Sequence, residues 1–436
     1  MSKESLASLL ARCFLAGEPR LDAIAQRGAL LLGHDWRWLR PVVRNYLEAM
    51  DGLTRPRLNA VADFILLDPV FERAWDRHYK RLGVDKWLTQ PRQMQPVAAA
   101  KEWRIPRIET ARDLADWFWL DDGQLEWFAD LRGLGCNTTN RKLRHYHYRI
   151  LTKSGGGMRL IEAPKPRLKE MQRQILDYIL DSIPAHPAVH GFVKGRSIKT
   201  FAAPHVGKQI VLRMDLKNFF PAFSCPRIQA LFRTVGFPES VADLLGGICT
   251  TATPKEIWTK LDDRTYSQRH LPQGSPSSPS LANLGAYRMD CRLSGLAKSA
   301  GAQYTRYADD LAFSGGSYFQ KCAERFSISA AAIMEEEGFH VHHRKTRIMR
   351  QGVRQRLAGL VTNRRLNIPR RDFDQLKAIL TNCLRLGPDN QNHDRHPAFR
   401  AHLDGRVGFV EMVNPSKGAK LREIFTLIQW PPGSLA

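Results

Sequence analysis

Apolar residues recur at helical spacing over the first part of the chain. They fall on one helix face between Pro41 and Met50, and a second helical pattern runs from Leu58 to about Arg81. The pattern stops between Gln90 and Ala100, where two prolines each remove a backbone donor and disfavour helix at the preceding residue. Residues 1–105 are therefore predicted to form a helical N-terminal region that ends in a linker, and no catalytic motif occurs there.

The N-terminus itself carries an apolar stretch, Leu6–Leu15. Glu4 precedes this stretch, Arg12 interrupts it, and Glu18 and Arg20 follow it. A signal peptide would have a basic start and an uninterrupted apolar centre. The stretch therefore predicts a surface helix. No apolar run approaches the length of a membrane span, so no membrane partner is expected.

From about Arg141 the pattern changes, and short apolar strands alternate with helices. Tyr148–Leu151 and Met158–Glu162 are predicted to pair as a hairpin, with the Gly-rich turn Lys153–Gly157 between them. Ile210–Met214 is a further apolar run of strand length. This region therefore begins a second, mixed part of the fold.

The rest of the chain continues this mixture. The predicted elements are a helix capped at Ser277 or Ser278 and ending at Gly301, strands Gln303–Ala308 and Leu311–Ser314, a helix Tyr318–Glu337, a strand Phe339–Met349, and helices from about Asp372. The order strand, helix, hairpin, helix, strand is that of a small sheet covered by helices on one face. The fold class is therefore α+β.

The charge balance indicates a polyanionic partner. Lys and Arg number 66 against 43 Asp and Glu, which gives a net charge of +23 and a pI near 10.0. The basic residues are spread along the chain and do not form one amphipathic segment. Nucleic acid is therefore favoured over a membrane surface.

Cysteine and histidine do not indicate a metal or disulfide scaffold. The seven cysteines are an odd number and form no CxxC pair, which is typical of a reducing cytosol. His393, His396 and His402 lack a clear ligand spacing, so solvated or RNA-facing histidines are expected there. A cytoplasmic protein is expected.

Three aspartates occupy positions that suit phosphoryl transfer. Asp215 ends one predicted strand, and Asp309 and Asp310 lie at the turn of a later hairpin. Two Mg²⁺ ions that assist attack by a 3′ hydroxyl need hard oxygen ligands converging from different strands. An Asp-Asp pair in a turn is ordinary by itself, because Asp suits turns. Its place downstream of a strand-terminal Asp favours the metal site.

Further motifs carry a family resemblance. Tyr307–Asp310 matches the YxDD box of reverse transcriptases, and Leu271–Pro279 matches their LPQGxPxSP loop. Asp215–Phe220 resembles the motif of the first catalytic carboxylate, and Gly338–Thr346 resembles the following GF…KT element. Over residues 140–365, in the family's order, the chain resembles a reverse transcriptase, an RNA-directed DNA polymerase that uses Mg²⁺, with Mn²⁺ as a substitute.

The resemblance implies a right-hand polymerase fold with fingers, palm and thumb behind a helical N-terminal extension. The expected parts are the extension at 1–105, fingers at 106–205 and 226–270, palm at 206–225 and 271–360, and a helical thumb at 361–436.

The resemblance also implies roles for individual residues. Asp215, Asp309 and Asp310 would be the catalytic, metal-binding carboxylates, and the Leu216 carbonyl a further hard ligand. Lys345 would be the general acid for pyrophosphate, with surface charge as an equal alternative.

Five positions are implied to bind the nucleotide: Lys153, Arg159, Phe220, Gln273 and Gly274. The two cations would hold the triphosphate, and an aromatic at Phe220 would collide with a 2′ hydroxyl and so select deoxynucleotides. Gln273 and Gly274 would contact nucleotide and template. Solvated charge and a core aromatic are the alternatives for the cations and for Phe220.

Within the family the chain most resembles the bacterial retron branch, which has an element similar to Gly191–Ile198. Two hallmarks of that branch are altered: NAxxH is Phe201–His205 here, with Phe in place of Asn, and VTG before GLVxN is Leu357–Gly359. These elements are associated with recognition of the cognate RNA, so their alteration weakens the expectation of priming from a branched guanosine. The N-terminal helices resemble the extended architecture of defence-associated reverse transcriptases.

The resemblance implies a structured RNA template, a DNA primer or product and dNTPs as partners, in bacterial antiphage defence, with an effector protein or a second copy of the chain as further candidates. Two alternatives stay open. One is untemplated or protein-primed DNA synthesis, and the other is a non-catalytic RNA-binding scaffold.

Overall fold

The chain passes back and forth between two structural units. A computed structural model describes residues 1–16, 19–49, 56–85, 94, 97–152 and 157–430. The first unit comprises Met1–Pro184 and Phe220–Gly285, and the second comprises Ala185–Phe219 and Ala286–Ala436. The predicted finger, palm and thumb boundaries stay predictions.

The N-terminal region is helical, as predicted. Its helices are α1 (Lys3–Leu15), α2 (Leu21–Leu32), α3 (Leu39–Ala49), α4 (Leu58–Leu67) and α5 (Pro69–His78). The expected surface helix is α1, but its apolar face, with Leu6, Leu10 and Phe14, is buried in the core of this bundle. The predicted helix Leu58–Arg81 is divided, because Asp68 caps α5 and Pro69 begins it.

The first unit continues with short helices and the predicted hairpin. These elements are α6 (Ala111–Phe118), α7 (Asp122–Ala129), α8 (Leu134–Asn137), β1 (Tyr146–Thr152), β2 (Met158–Pro164) and α9 (Pro166–Tyr178). Strands β1 and β2 pair antiparallel, with Thr152 opposite Met158. The hairpin is confirmed, but most of its predicted turn, residues 153–156, and most of the predicted linker lie outside the described residues.

The chain then enters the second unit and returns. In the second unit it forms α10 (Ile198–Ala202) and β3 (Ile210–Lys217). Back in the first unit it forms α11 (Cys225–Val235), α12 (Glu239–Cys249), α13 (Lys255–Leu261) and α14 (Ser278–Gly285). Strand β3 is buried along most of its length, as expected for a central strand. The predicted helix that ended at Gly301 is divided at Ala286.

The central sheet belongs to the second unit. After α14 the chain forms two helices and four strands of this sheet. They are α15 (Tyr287–Ser299), β4 (Gln303–Tyr307), β5 (Asp310–Gly315), α16 (Ser317–Glu336), β6 (His340–Val341) and β7 (Arg347–Arg350). The strand order is β4-β5-β3, and both β6 and β7 pair with β3 on its other side. The single strand predicted for Phe339–Met349 is therefore wrong, because a short 3₁₀ turn separates β6 from β7.

The chain ends in helices, as predicted. The last elements are β8 (Arg356–Leu357), β9 (Leu360–Val361), α17 (Arg370–Leu386), α18 (Phe399–Val413) and α19 (Pro415–Leu427). The three helices share a core with Val211 of β3 and Ala312 of β5. The α+β class is confirmed. Among the described residues, no helix combines the length and apolar character that crossing a bilayer requires.

Candidate active site

Strands β3 and β5 bring the predicted carboxylates together. Asp215 lies directly opposite Asp310 in the antiparallel register. The Leu216 amide donates a hydrogen bond to the Asp309 carbonyl at 3.0 Å, which ties the end of β3 to the β4–β5 turn. Residues nearly one hundred positions apart in sequence thus meet at one edge of the sheet.

Tyr307–Asp310, hereafter the acidic turn, has a constrained backbone. Ala308 has a φ of +54°, in the left-handed region that non-glycine residues rarely adopt. The backbone of Gly191 lies so close that a Cβ there would come within 2.7 Å of the Ala308 nitrogen. Asp310 is the first residue of β5, so only Asp309 of the pair lies in the turn itself.

Lys345 contacts the first carboxylate. Its Nζ lies 2.8 Å from Oδ1 and 3.1 Å from Oδ2 of Asp215. This contact depends on the 3₁₀ turn His343–Lys345 between β6 and β7. The break in the predicted strand is therefore the feature that brings Lys345 to the site.

Arg213 is a site residue that the sequence reasoning missed. Its guanidinium donates to Oδ1 of Asp310, from Nε at 2.8 Å and from the second terminal nitrogen at 2.5 Å. Arg213 and Asp215 are two positions apart on β3, and side chains with this spacing share one face of a strand. The two-residue spacing between Arg213 and Asp215 was therefore the feature of the sequence that could have identified Arg213 as a site residue.

The three carboxylates differ in their electrostatic surroundings. Burial, followed by the charges of Asp215 and Asp310, raises the pKa of Asp309 to about 6. Burial also raises the pKa of Asp310, against the opposing effect of Arg213. Among the described residues, Asp309 forms no ion pair, whereas Lys345 and Arg213 each hold one of its neighbours.

The donor set fits a hard divalent cation. Carboxylate oxygens from adjacent strands are the ligands that such ions prefer. Burial and the neighbouring negative charges raise the pKa of Asp309, and a bound cation would offset both effects. Within the described ranges, no three His, Cys, Asp or Glu side chains already stand in a metal-holding geometry. The basic partners of Asp215 and Asp310 occupy their carboxylates instead.

In the first unit, Leu271–Gly274, hereafter the motif loop, is fixed to strand β2. The Glu162 amide donates to the Gln273 carbonyl at 2.9 Å. Gly274 has a φ of +140°, and a Cβ there would lie 2.9 Å from the Glu162 carbonyl oxygen. Gly274 is thus required for the close approach of two backbones.

A buried ion pair lies beside the motif loop. The Glu162 carboxylate accepts from His270 Nε2 at 3.0 Å and from the Thr253 hydroxyl at 2.7 Å. His270 Nδ1 contacts the Gln268 carbonyl at 2.7 Å. Burial lowers the pKa of His270, but the Glu162 charge and these hydrogen bonds outweigh it, so the pKa lies above the usual value. No sequence motif indicated this pair.

The other predicted nucleotide-binding residues also belong to the first unit. Arg159 is exposed on β2 and forms no ion pair within the described part of the chain. Phe220 is half-buried. Lys153 lies outside the described residues.

The altered retron hallmark Phe201–His205 is structural in this fold. Phe201 and His205 are both fully buried in the second unit. His205 bridges two strands, with Nδ1 2.6 Å from the Ser314 hydroxyl and Nε2 2.7 Å from the Thr305 hydroxyl. Burial lowers the pKa of His205 to about 3, so the ring is neutral. These two side chains therefore stabilise the sheet.

Comparison with known proteins agrees with this geometry. A family model described as "Reverse transcriptase (RNA-dependent DNA polymerase)" matches residues 151–363. Retron Mx65 reverse transcriptase of Myxococcus xanthus is 40% identical over 293 residues, 67% of this chain and 66% of that protein. Retron Mx162 reverse transcriptase of the same organism is 36% identical over 331 residues, 72% of this chain and 66% of that protein. Retron Ec86 reverse transcriptase of Escherichia coli is 33% identical over 238 residues, 53% of this chain and 69% of that protein.

The chain thus spans 66% of the length of each Myxococcus relative. Reverse transcriptases generally use divalent metal ions, which agrees with the donor set described above. The α+β architecture is that of the polymerase fold. The chain belongs to the bacterial retron-type reverse transcriptases.

Proposed function

We propose that this protein is an RNA-directed DNA polymerase that adds dNTPs to a 3′ hydroxyl in a retron-like role, with antiphage defence as its biological setting. The observation that carries the proposal is the meeting of Asp215 with the acidic turn across β3 and β5. The family membership supports the same reaction.

Asp215, Asp309, Asp310 and the Leu216 carbonyl are proposed to hold two Mg²⁺ ions, with Mn²⁺ as a substitute. When bound, such ions activate the attacking oxygen and stabilise charge on the leaving group. Arg213 and Lys345 hold the carboxylates of Asp310 and Asp215 in place. Lys345 also carries a transferable proton on Nζ, and we assign it as the proton donor to pyrophosphate.

The nucleotide is proposed to contact residues of the first unit. Arg159 offers an exposed guanidinium to the triphosphate, and Lys153 is proposed for the same role. Gln273 and Gly274 belong to a loop whose backbone is fixed, which favours a defined contact with nucleotide and template. Phe220 is proposed to exclude a 2′ hydroxyl.

The RNA is proposed to contact a basic surface of the second unit. Between Gly338 and Arg371 the sequence contains no Asp or Glu. The exposed arginines of this stretch that form no ion pair within the described ranges are Arg344, Arg347, Arg350, Arg354, Arg356, Arg364, Arg365 and Arg371. Such cations bind phosphates and release counterions. We also propose a structured RNA as template, a DNA product and a cytoplasmic location, with an effector protein or a second copy of the chain as further partners.

Primer extension on an RNA template, with dNTPs and Mg²⁺, tests the proposal. We expect Asp309→Ala with Asp310→Ala to reduce extension by about 10³-fold or more, equal to about 4 kcal/mol of barrier. Arg288→Met is the matched control, because the Arg288 side chain is exposed in the same unit and its partner Glu337 keeps an ion pair with Arg292.

The possible outcomes separate the alternatives. Full-rate extension by the double variant would contradict the proposed site. Products whose sequence does not match the template would indicate untemplated synthesis. A double variant that loses extension but keeps its cellular function would favour the RNA-binding scaffold.

A further inference from the structure

A fully buried ion pair lies beneath the acidic turn. Arg306 of β4 and Asp290 of α15 both have side chains that are 0% exposed. Arg306 donates from Nε to Asp290 Oδ1 at 2.8 Å and from a terminal nitrogen to Oδ2 at 2.6 Å. The Tyr304 hydroxyl donates to the same carboxylate at 2.7 Å. The guanidinium is therefore fixed in a bidentate geometry.

The remaining terminal nitrogen of Arg306 is directed at the acidic turn. It donates to the Ala308 carbonyl at 3.1 Å. The Arg306 backbone is held as well, because its amide donates to the Ala188 carbonyl at 2.8 Å and its carbonyl accepts from the His190 amide at 2.7 Å. The face of Phe219 lies 5.6 Å from the guanidinium. Arg306 thus links α15 and the 188–190 segment to the residue that precedes Asp309.

Stability alone gives little reason for this network. A buried ion pair can often be replaced by apolar side chains of similar volume without loss of stability. What an apolar replacement cannot supply is a donor for the Ala308 carbonyl. Ala308 needs such support, since its φ of +54° is unfavourable for a residue with a Cβ.

We propose that Arg306 is a positioning residue: its guanidinium, fixed by Asp290, holds the Ala308 carbonyl and so sets the orientation of Asp309 in the site. This inference rests on the proposed polymerase function of the same site. The Arg306 side chain is 0% exposed, so we propose that it acts through the Ala308 carbonyl and not by direct contact with the nucleotide.

The test removes the network without leaving a buried charge. In the variant Asp290→Leu, Tyr304→Phe, Arg306→Met, the three polar side chains of the network become apolar together, and only the Ala308 carbonyl loses its donor. We expect this variant to fold and to unfold within a few degrees of the wild type in calorimetry. Its kcat for single-nucleotide addition should fall by about 10²-fold, because a misplaced reacting group is costly, while KM for dNTP changes by less than about threefold.

A second measurement does not depend on turnover. Mn²⁺ binding to the protein alone, followed by electron paramagnetic resonance, should weaken by about tenfold or more in the triple variant. Arg288→Met should change neither kcat nor Mn²⁺ binding. Arg306→Lys keeps one donor and the charge but not the fork, and an intermediate kcat is expected.

A folded triple variant with wild-type kcat and Mn²⁺ binding would overturn the proposal. If the triple variant does not fold, the kcat of Arg306→Lys tests the proposal instead. A wild-type kcat in Arg306→Lys would then overturn the proposal. Failure of the proposed function is distinct, because it requires extension by the variant that lacks Asp309 and Asp310.

Discussion

The motif loop of the first unit and the acidic turn of the second each lie beside a buried ion pair, and the two pairs differ in their basic residue. The pair is Glu162–His270 for the loop and Asp290–Arg306 for the turn. Arginine stays charged at any pH that a protein meets, whereas histidine can lose its proton. The support of the turn is therefore permanent, and the support of the loop depends on pH.

The two partners of His270, together with its raised pKa, favour a ring that carries two protons. Its Nδ1 faces the Gln268 carbonyl, and its Nε2 faces the Glu162 carboxylate. Both partners are acceptors, and a neutral imidazole can donate to only one of them. Loss of one proton would break one of the two contacts and remove the charge that balances Glu162.

The largest difference between the two pairs should follow removal of the acid. Asp290→Asn leaves Arg306 charged and buried, which should cost about 3–5 kcal/mol of unfolding free energy. Glu162→Gln leaves a histidine that can become neutral, so the cost should be about 1–2 kcal/mol. Calorimetry of the two variants at pH 7 measures the difference. Equal destabilisation by the two substitutions would show that the two ion pairs do not differ as proposed.

The elements of the fold were largely predictable from sequence periodicity. The β1–β2 hairpin, the strands around the acidic turn and the C-terminal helices occur where the pattern indicated. The division between α4 and α5 also had a local signal, because Asp68 followed by Pro69 is a helix start. That signal was outweighed by the continuous apolar pattern on either side.

Other features depend on contacts that no local pattern contains. The helix break at Ala286 follows Gly285, where a Cβ would lie 2.7 Å from the Phe223 ring. Arg306 and Asp290 are charged residues, for which exposure is the ordinary expectation, and their pairing across 16 positions required the fold. The three carboxylates could be found because family motifs mark them, whereas the residues that orient them carry no such mark.

The next largest effect is the pH dependence of the stabilisation that His270 gives beside the motif loop. The folded pKa of His270 lies above its ordinary value of 6.5, so its stabilisation is complete below pH 6.5 and is lost as pH rises through the folded pKa. The stability gap between wild type and His270→Gln should therefore shrink above pH 6.5, by at most about 1.4 kcal/mol per pH unit for one proton.

Calorimetry of wild type and His270→Gln from pH 6 to 9 measures this gap. Of the groups around His270, Glu162 and Asp263 are acids, and burial raises the pKa of Tyr266 to about 12, so the tyrosine does not titrate in this window. The gap between wild type and Asp290→Asn should stay constant over the same range, because Arg306 stays charged throughout. A gap that widens for His270→Gln would contradict the charged state of the ring.

The smallest effect concerns Asp309, which forms no ion pair with any residue that the structure describes. Its pKa of about 6 lies above the ordinary 3.8, so the folded protein loses stability as pH rises between these values. In a chelator at pH 7, Asp309→Asn should therefore stabilise the protein by about 1–2 kcal/mol, after allowance for solvent screening.

The gain from Asp309→Asn should vanish near pH 4, where the wild-type carboxyl is protonated. Asp310→Asn should stabilise the protein less than Asp309→Asn does, because Arg213 already offsets the charge of Asp310. Added Mn²⁺ should raise the unfolding temperature of the wild type and not that of Asp309→Asn, since an ion that binds only the folded state stabilises it. Destabilisation by Asp309→Asn in chelator would mean that its carboxylate has a stabilising partner, and the contrast with the paired carboxylates would fail.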